Sequence, residues 1–401
     1  MKEISGGVTA PQGFRAAGMH CGIRANHDKK DIALIASDCL CAAAGVYTKN
    51  LVKAAPVYKT MANLANGRAA AIICNSGNAN ACAPHGADNA NSTCLAVGAA
   101  LGINPDDVIV ASTGVIGQEL NMEPILKSLL PLTAALSTTG GGEAAEAIMT
   151  TDTVKKEIAL EFELDGKTCR MGAMAKGSGM IHPNMGTMLC FITTDAAVAP
   201  AALQRALSAA VKRTFNRVTV DGDTSTNDMA VCLANGMAGN AEVMGDSAEL
   251  SAALLTVCMH LARAIAADGE GATKLLECTV RGAESESVAE MLAKSVVGSS
   301  LVKAAMYGSD ANWGRVMCAM GYSGAPFDPA TATLSFESAA GSVTVYSGGE
   351  ALEFSEEEAT NILSQKEVAI VVSLRAGGGE ATCWGCDLTY DYVRINGDYR
   401  S

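Results

Sequence analysis

Apolar and polar positions alternate along the chain in two rhythms. Arg68 to Ser76 (RAAAIICNS), Asp107 to Thr113 (DVIVAST) and Val368 to Leu374 (VAIVVSL) are short apolar runs and read as buried strands, the second stopping at Gly114. Lys155 to Leu164 alternates with period two, as a half-exposed strand does, and Ala330 to Phe354 reads as hairpins. Ala87 to Leu101, Asn121 to Ser137, Pro200 to Phe215 and Asp246 to Ala267 carry the helical rhythm, with Pro124 and Pro200 where a first turn tolerates proline. Ser287-Val288-Ala289-Glu290 and Ser355-Glu356-Glu357-Glu358 have the spacing of capping boxes, so each predicts a helix start. No internal repeat or linker is visible. Strands and helices mixed in this way predict a layered α/β (α+β) protein.

Composition narrows the picture. The 401 residues suit two or three units, or one large α/β unit. Hydrophobic residues make up 49% but aromatics only 4%, so the core must be built from Ala, Val, Ile, Leu, Met and Cys. A net charge of -13 argues against a nucleic-acid partner, which needs a basic surface. It leaves room for an anionic substrate, since one buried lysine outweighs the global charge locally. The N-terminus lacks a secretory pattern, and the apolar stretch Ser251 to Ala267 is broken by His260 and Arg263. A cytoplasmic protein with no membrane span is expected. The 14 cysteines form no disulfide-like framework and read as reduced, mostly small hydrophobes. Cys383 and Cys386 have CxxC spacing without the partners of a redox or metal site, so they read as packing residues. VTVDGDTSTND, Val218 to Asp228, lacks the glycine and closing glutamate of a calcium loop; an acidic loop is favoured over a magnesium or sodium site. No metal and no resident cofactor are expected.

Candidate chemistry is reached partly by exclusion. The chain has no G-x-S-x-G elbow, no H-E-x-x-H and no P-loop. Its five histidines lie in unrelated contexts, with only His182 in a suggestive segment, KGSGMIHPNMGTMLCFITTDA. That segment sets Gly186-Thr187 before an apolar run. A threonine hydroxyl is a weak nucleophile and needs a base. If the bond before Thr187 is cut, the new α-amine supplies one, with a pKa of roughly 7.7 to 8. Gly186, lacking Cβ, leaves its carbonyl open to attack. On the residues alone, an ordinary strand start remains the simpler reading.

The wider pattern resembles the ornithine acetyltransferase family along essentially the whole chain. The matching segments are GVTAPQGFRAAG, NSGNANAC, VIVASTGVIG, IMTTDT, VTVDGDTSTND, DGEGATK, SDANWGRVMCAMGYSG and WGCDLTYDYVRINGDY, besides the one around Thr187. The resemblance implies self-cleavage into an α chain, 1–186, and a β chain, 187–401. Both would share one main αββα-type sandwich of the DmpA/ArgJ-like kind, with a smaller β-chain lobe at roughly 280–375. It implies a ping-pong transfer of acetyl from N-acetylornithine to glutamate through acetyl-Thr187, in an arginine-biosynthesis enzyme that commonly pairs as α2β2. Some members also use acetyl-CoA as co-substrate.

Site roles carry over residue by residue. Thr187 would be the nucleophile, and Thr113 and Gly114 the oxyanion hole. Thr150, Lys176, Glu270, Asn396 and Ser401 would join Thr187 in binding substrate. Lys176 suits a substrate carboxylate and Glu270 the ornithine amino group. Thr151 competes with Thr150 for its place, and Glu270 with the role of a solvated loop acid. The family often has alanine where this chain has His182 and Gly186, so His182 is either an added proton acceptor or a tolerated change. Two other readings share these residues: an N-terminal-nucleophile hydrolase or aminopeptidase using Thr187, and a non-catalytic homologue that never cleaves.

Overall fold

The computed structural model describes residues 1–182 and 188–398. They divide into two units: residues 1–177, 188–216 and 224–261 in the first, and 178–182, 217–223 and 262–398 in the second.

The first unit is built on one nine-stranded sheet. Its strands are β1 (Lys2–Ile4), β2 (Phe14–Met19), β3 (Ile32–Tyr47), β4 (Arg68–Asn78), β5 (Val108–Val115), β6 (Lys156–Leu164), β7 (Lys167–Lys176), β8 (Leu189–Thr194) and β9 (Met229–Ala234). They lie in the order β1-β6-β7-β8-β9-β3-β4-β5, with β2 on β3. The helices of this unit are α1 (Ala55–Asn63), α2 (Gly86–Leu101), α3 (Met122–Ala134), α4 (Gly141–Ala147) and α5 (Pro200–Arg213). Successive residues of the central strands point to opposite faces. Ile32, Leu34, Ile73 and Val110 pack with Val97 of α2 and Leu129 of α3. Ala33, Ile35, Ile72 and Ile109 pack with Ala144 and Ala145 of α4. Both faces are therefore covered, which is why these strands read as unbroken apolar runs rather than alternating ones.

β8 and β9 follow position 187 in the chain, and β1 to β7 precede it. β8 is nonetheless hydrogen-bonded to β7 on one side and β9 on the other, and β9 pairs with β3. Segments from both sides of the 186–187 bond are thus interleaved in one sheet.

α6 (Ala248–Ala267) is long and apolar enough by composition to cross a membrane. Its buried residues, Leu250, Ala253, Leu254, Val257, Cys258, Leu261, Ala262 and Ile265, recur at helical spacing. Arg263 pairs with Glu277 and Glu367. This is a core stripe with a charged face.

The second unit has a six-stranded sheet of β10 (Leu275–Ala283), β11 (Thr333–Ser338), β12 (Gly341–Ser347), β13 (Glu350–Ala351), β14 (Glu367–Ser373) and β15 (Gly379–Cys386), in the order β13-β12-β11-β14-β10-β15. Only β10 and β14 run parallel. Its helices are α7 (Glu286–Gly298), α8 (Ser300–Tyr307), α9 (Trp313–Gly321), α10 (Glu356–Leu363) and α11 (Tyr390–Asp398). Leu292 and Val296 of α7 pack on Cys278, Val280, Leu334, Phe336 and Ile370. Cys383 lies in the same core, opposite Cys278, and burial pushes its thiol up to about 12. It serves as a small hydrophobe.

Two local readings shift. β5 runs through Gly114 to Val115 instead of stopping there. α7 begins two residues earlier than its apparent capping box implies: Ser285, not Ser287, is the cap, its side chain accepting from the Val288 N–H. The Ser-Glu-Ser run offers two serines, and the backbone at Ser285 is the one in extended conformation. Ser355 caps α10 through the Glu358 N–H as the spacing predicts. Ser285→Ala should therefore cost about 1 kcal/mol of stability, and Ser287→Ala much less. Urea unfolding of the two variants checks this; equal losses would contradict the cap assignment.

Candidate active site

Thr113 and Gly114 lie near the end of β5, where it runs parallel to β4 with Ser76 opposite Thr113 and Gly77 opposite Gly114. Gly114 has φ +133, and a Cβ there would overlap the Gly77 backbone. Glycine is therefore required both by conformation and by the close approach of two chains. The strand end is laced in place. Ser112 Oγ donates to Asn75 Oδ1 at 2.6 Å. Asn227 Nδ2 donates to the carbonyls of Ser112 and Ala79 at 2.8 and 2.6 Å. Thr113 is held in place by its neighbours.

Lys176 ends β7, in register with Leu189 of β8. Its side chain is only 10% exposed, and its Nζ lies 3.5 Å from Thr113 Oγ1 and 4.0 Å from Asp152 Oδ2. Asp152 is wholly buried and makes several contacts. Lys156 Nζ reaches Oδ1 at 2.8 Å, the Gly177 N–H donates to Oδ1 at 2.7 Å, and the Thr150 N–H donates to Oδ2 at 3.0 Å. Burial alone would raise its pKa, but Lys176 and Lys156 hold the carboxyl well below the usual range. Thr150 and Lys176 are thus gathered around one carboxylate that the sequence reading did not single out, and Lys176 links it to Thr113. Asp152 and Lys156 stand four apart, but nothing in IMTTDTVKK separates a buried ion pair from a surface one.

In the second unit, Glu270 sits in the loop between α6 and β10. Its N–H donates to the Ser178 carbonyl at 2.9 Å. Asn396 of α11 donates through Nδ2 to Glu270 Oε2 at 2.7 Å. A Cβ on Gly179 would overlap the Glu270 carboxyl, so glycine there makes room for the acid. Asp221 accepts from the N–H groups of Met180, Ile181 and Asp223 at 2.6, 2.9 and 3.1 Å. Burial, then the charges of Asp221 and Glu270, pushes the Tyr392 phenol up. Glu270 therefore stands among acids and amides, a setting that favours a cation over an anion. Tyr392 escaped the sequence reading, and Asp221 was read only as part of an acidic loop, because only folding brings them to Glu270.

His182 Nδ1 lies 3.0 Å from Thr219 Oγ1. Burial, and then Lys294, lowers its pKa from 6.5 to about 4, so it is neutral at physiological pH. Gly186, Thr187 and Ser401 lie outside the described residues.

Each unit carries chemistry suited to a small charged ligand: an ammonium beside a strand-end hydroxyl in the first, a carboxylate beside an amide in the second. The comparisons with known proteins identify the family. A model described as the ArgJ family matches residues 15–401. The arginine biosynthesis bifunctional protein ArgJ of Symbiobacterium thermophilum is 54% identical, with 100% of each chain covered. Its counterpart from Caldanaerobacter subterraneus is 48% identical, again over 100% of both. A crystal structure of the protein of that name from Bacillus halodurans is 50% identical with a TM-score of 0.51, covering 53% of this chain and 100% of that one. The chain belongs to the ArgJ family, and by that membership it is an arginine-biosynthesis enzyme, a glutamate N-acetyltransferase.

Two outcomes follow from this geometry. Gly114→Ala should lose most activity and lower the melting temperature, because a Cβ strains φ and forces β4 and β5 apart; a variant with wild-type stability and rate would contradict the packing described. As pH falls from 6.5 towards 4, the unfolded chain takes up a proton at position 182 before the folded one does, so this part of the stability is complete above 6.5 and is lost on acidification. His182→Gln should therefore lose less stability than wild type between pH 7 and 4.5, read as the shift in urea midpoint; parallel losses would contradict the assignment.

Proposed function

We propose that the chain cuts itself between Gly186 and Thr187 and then moves acetyl from N2-acetyl-L-ornithine to L-glutamate through an ester on Thr187. In the cleavage step the Thr187 hydroxyl attacks the Gly186 carbonyl, the peptide C–N bond gives way to an ester, and water hydrolyses that ester. The freed α-amine of Thr187 then takes the hydroxyl proton as the oxygen attacks the acetyl carbonyl. The C–N bond to ornithine breaks and the proton passes to the leaving amine. The glutamate amine attacks the acetyl-threonine in turn, giving N-acetyl-L-glutamate and restoring the hydroxyl.

The observation that carries this reading is the Lys176 ammonium at 3.5 Å from Thr113 Oγ1. A lysine donating to that oxygen leaves the hydroxyl proton free to point at a developing oxyanion, with the Gly114 N–H beside it. Thr150 and Lys176 are assigned to the substrate α-carboxylate, and Glu270 with Asn396 to the ornithine side-chain ammonium. Ser401 is assigned to the substrate by resemblance alone. The solved relative adds support: it is fully covered by 53% of this chain, and residues 187–401 make up slightly more than half. Fragments whose strands interleave in one sheet would stay together after cleavage, and we assign them to an α2β2 assembly by resemblance. Acetyl-CoA as a second acetyl donor is assigned by resemblance alone.

Denatured wild-type protein should show two masses, one ending at Gly186 and one beginning at Thr187, and Thr187→Ala a single full-length mass. Acetylornithine with glutamate should give acetylglutamate; acetate released to water would instead mark a hydrolase, and no acetyl loss would overturn the reading. Glu270→Gln should lower kcat/KM for acetylornithine by about tenfold or more, since a charged partner is replaced by a neutral one. Its effect in the glutamate half-reaction should be smaller.

A further inference from the structure

We propose that Asp152 and Lys156 form a buried clamp that keeps Lys176 aimed and available, making both of them positioning residues for the substrate α-carboxylate. The inference rests on the role proposed for Lys176.

A lysine that must receive a substrate carboxylate faces two opposite failures. Buried alone, it sheds its proton, because desolvation disfavours the charged form. Paired tightly with a protein carboxylate, it keeps the proton but has no donor left for substrate. The arrangement around Asp152 avoids both. Lys176 Nζ is 4.0 Å from Asp152 Oδ2, close enough for Coulomb support and too long for a hydrogen bond. The acceptor capacity of Asp152 is directed elsewhere: Oδ1 to Lys156 Nζ at 2.8 Å and the Gly177 N–H at 2.7 Å, Oδ2 to the Thr150 N–H at 3.0 Å. Lys156, with a side chain 1% exposed, thus occupies the acid that would otherwise capture Lys176.

The three side chains together carry one more positive than negative charge, almost fully out of water, with side-chain exposures of 0%, 1% and 10% for Asp152, Lys156 and Lys176. A buried surplus of one cation is costly until an anion arrives. Every amino acid or acetyl-amino acid in the proposed reaction brings one α-carboxylate. Asp152 also fixes the flanking backbone: the Thr150 N–H on one side and the Gly177 N–H, next to Lys176, on the other. One carboxylate therefore orients both residues assigned to the substrate carboxylate.

A charge clamp differs from a merely structural ion pair in what a double-mutant cycle shows. Lys156→Met frees Asp152 to pair with Lys176 and cancels the surplus charge. KM for acetylornithine and for glutamate should each rise about tenfold, with a smaller change in kcat. Asp152→Asn should raise both KM values too, as Lys176 and the Thr150 and Gly177 backbone lose the acid that orients them. The double variant Lys156→Met with Asp152→Asn restores the single surplus charge and should recover part of the KM lost in Lys156→Met. A structural pair predicts the reverse, with stability falling and KM holding, or a double variant at least as impaired as the worse single one; either result overturns the clamp. If Asp152→Asn fails to fold, Lys156→Met decides alone, since an unchanged KM for both substrates contradicts the inference. Absence of acetyl transfer in the wild-type protein would instead count against the proposed function itself.

Discussion

The first unit depends on the pairing of β7 with β8. These strands flank the stretch that holds positions 186 and 187, and their register sets Lys176 opposite Leu189. From that pairing the rest of the sheet extends outward, through β6 to β1 on one side and through β9 and β3 to β4 and β5 on the other. β5 brings Thr113 within 3.5 Å of Lys176 although the two are 63 positions apart in the chain. Hydrogen bonds between strands are local and numerous, and the two strands beside β8 keep it in place whether or not the chain is continuous before it. A fold of this kind can bear the loss of a peptide bond at a strand entrance without losing the strand.

Electrostatics works on two scales. The whole chain carries a charge of -13, which says little about the pocket chemistry. Near Thr113 the local balance is positive, because Lys156 and Lys176 share one carboxylate. Around Glu270 the balance is negative, with Asp221, Asp223 and the hydroxyl of Tyr392 close at hand. An acidic protein can thus hold one locally positive and one locally negative group of side chains. Burial sharpens both, because it lowers the screening that would level them in water.

Much of this was legible in the sequence. Residues 68–76, 107–113 and 368–374 were apolar enough to announce β4, β5 and β14, and the Ser355 cap was visible from its spacing. β3 was not, because Asp38 and the exposed residues after it interrupt the pattern where the pairing with β4 shifts register and β9 takes over from β2. Thr113, Gly114, Lys176 and Glu270 could be named from motifs that match along the whole chain. Asp152, Asn227 and Tyr392 could not be given roles. Their importance comes from burial and from partners that only the sheet or a neighbouring helix brings near, and neither is encoded in local spacing. The same limit explains the choice of Ser285 over Ser287 as a cap, which backbone conformation decides.

The central claim is that acetyl resides on Thr187 between two half-reactions. Its most direct test is the mass of the denatured 187–401 fragment after incubation with acetylornithine in the absence of glutamate. The account predicts a fragment heavier by one acetyl group, with the modification mapped to Thr187 and discharged when glutamate is added. A fragment that stays unmodified under conditions where acetylglutamate still forms once glutamate is present would mean direct transfer between substrates, and would contradict the claim.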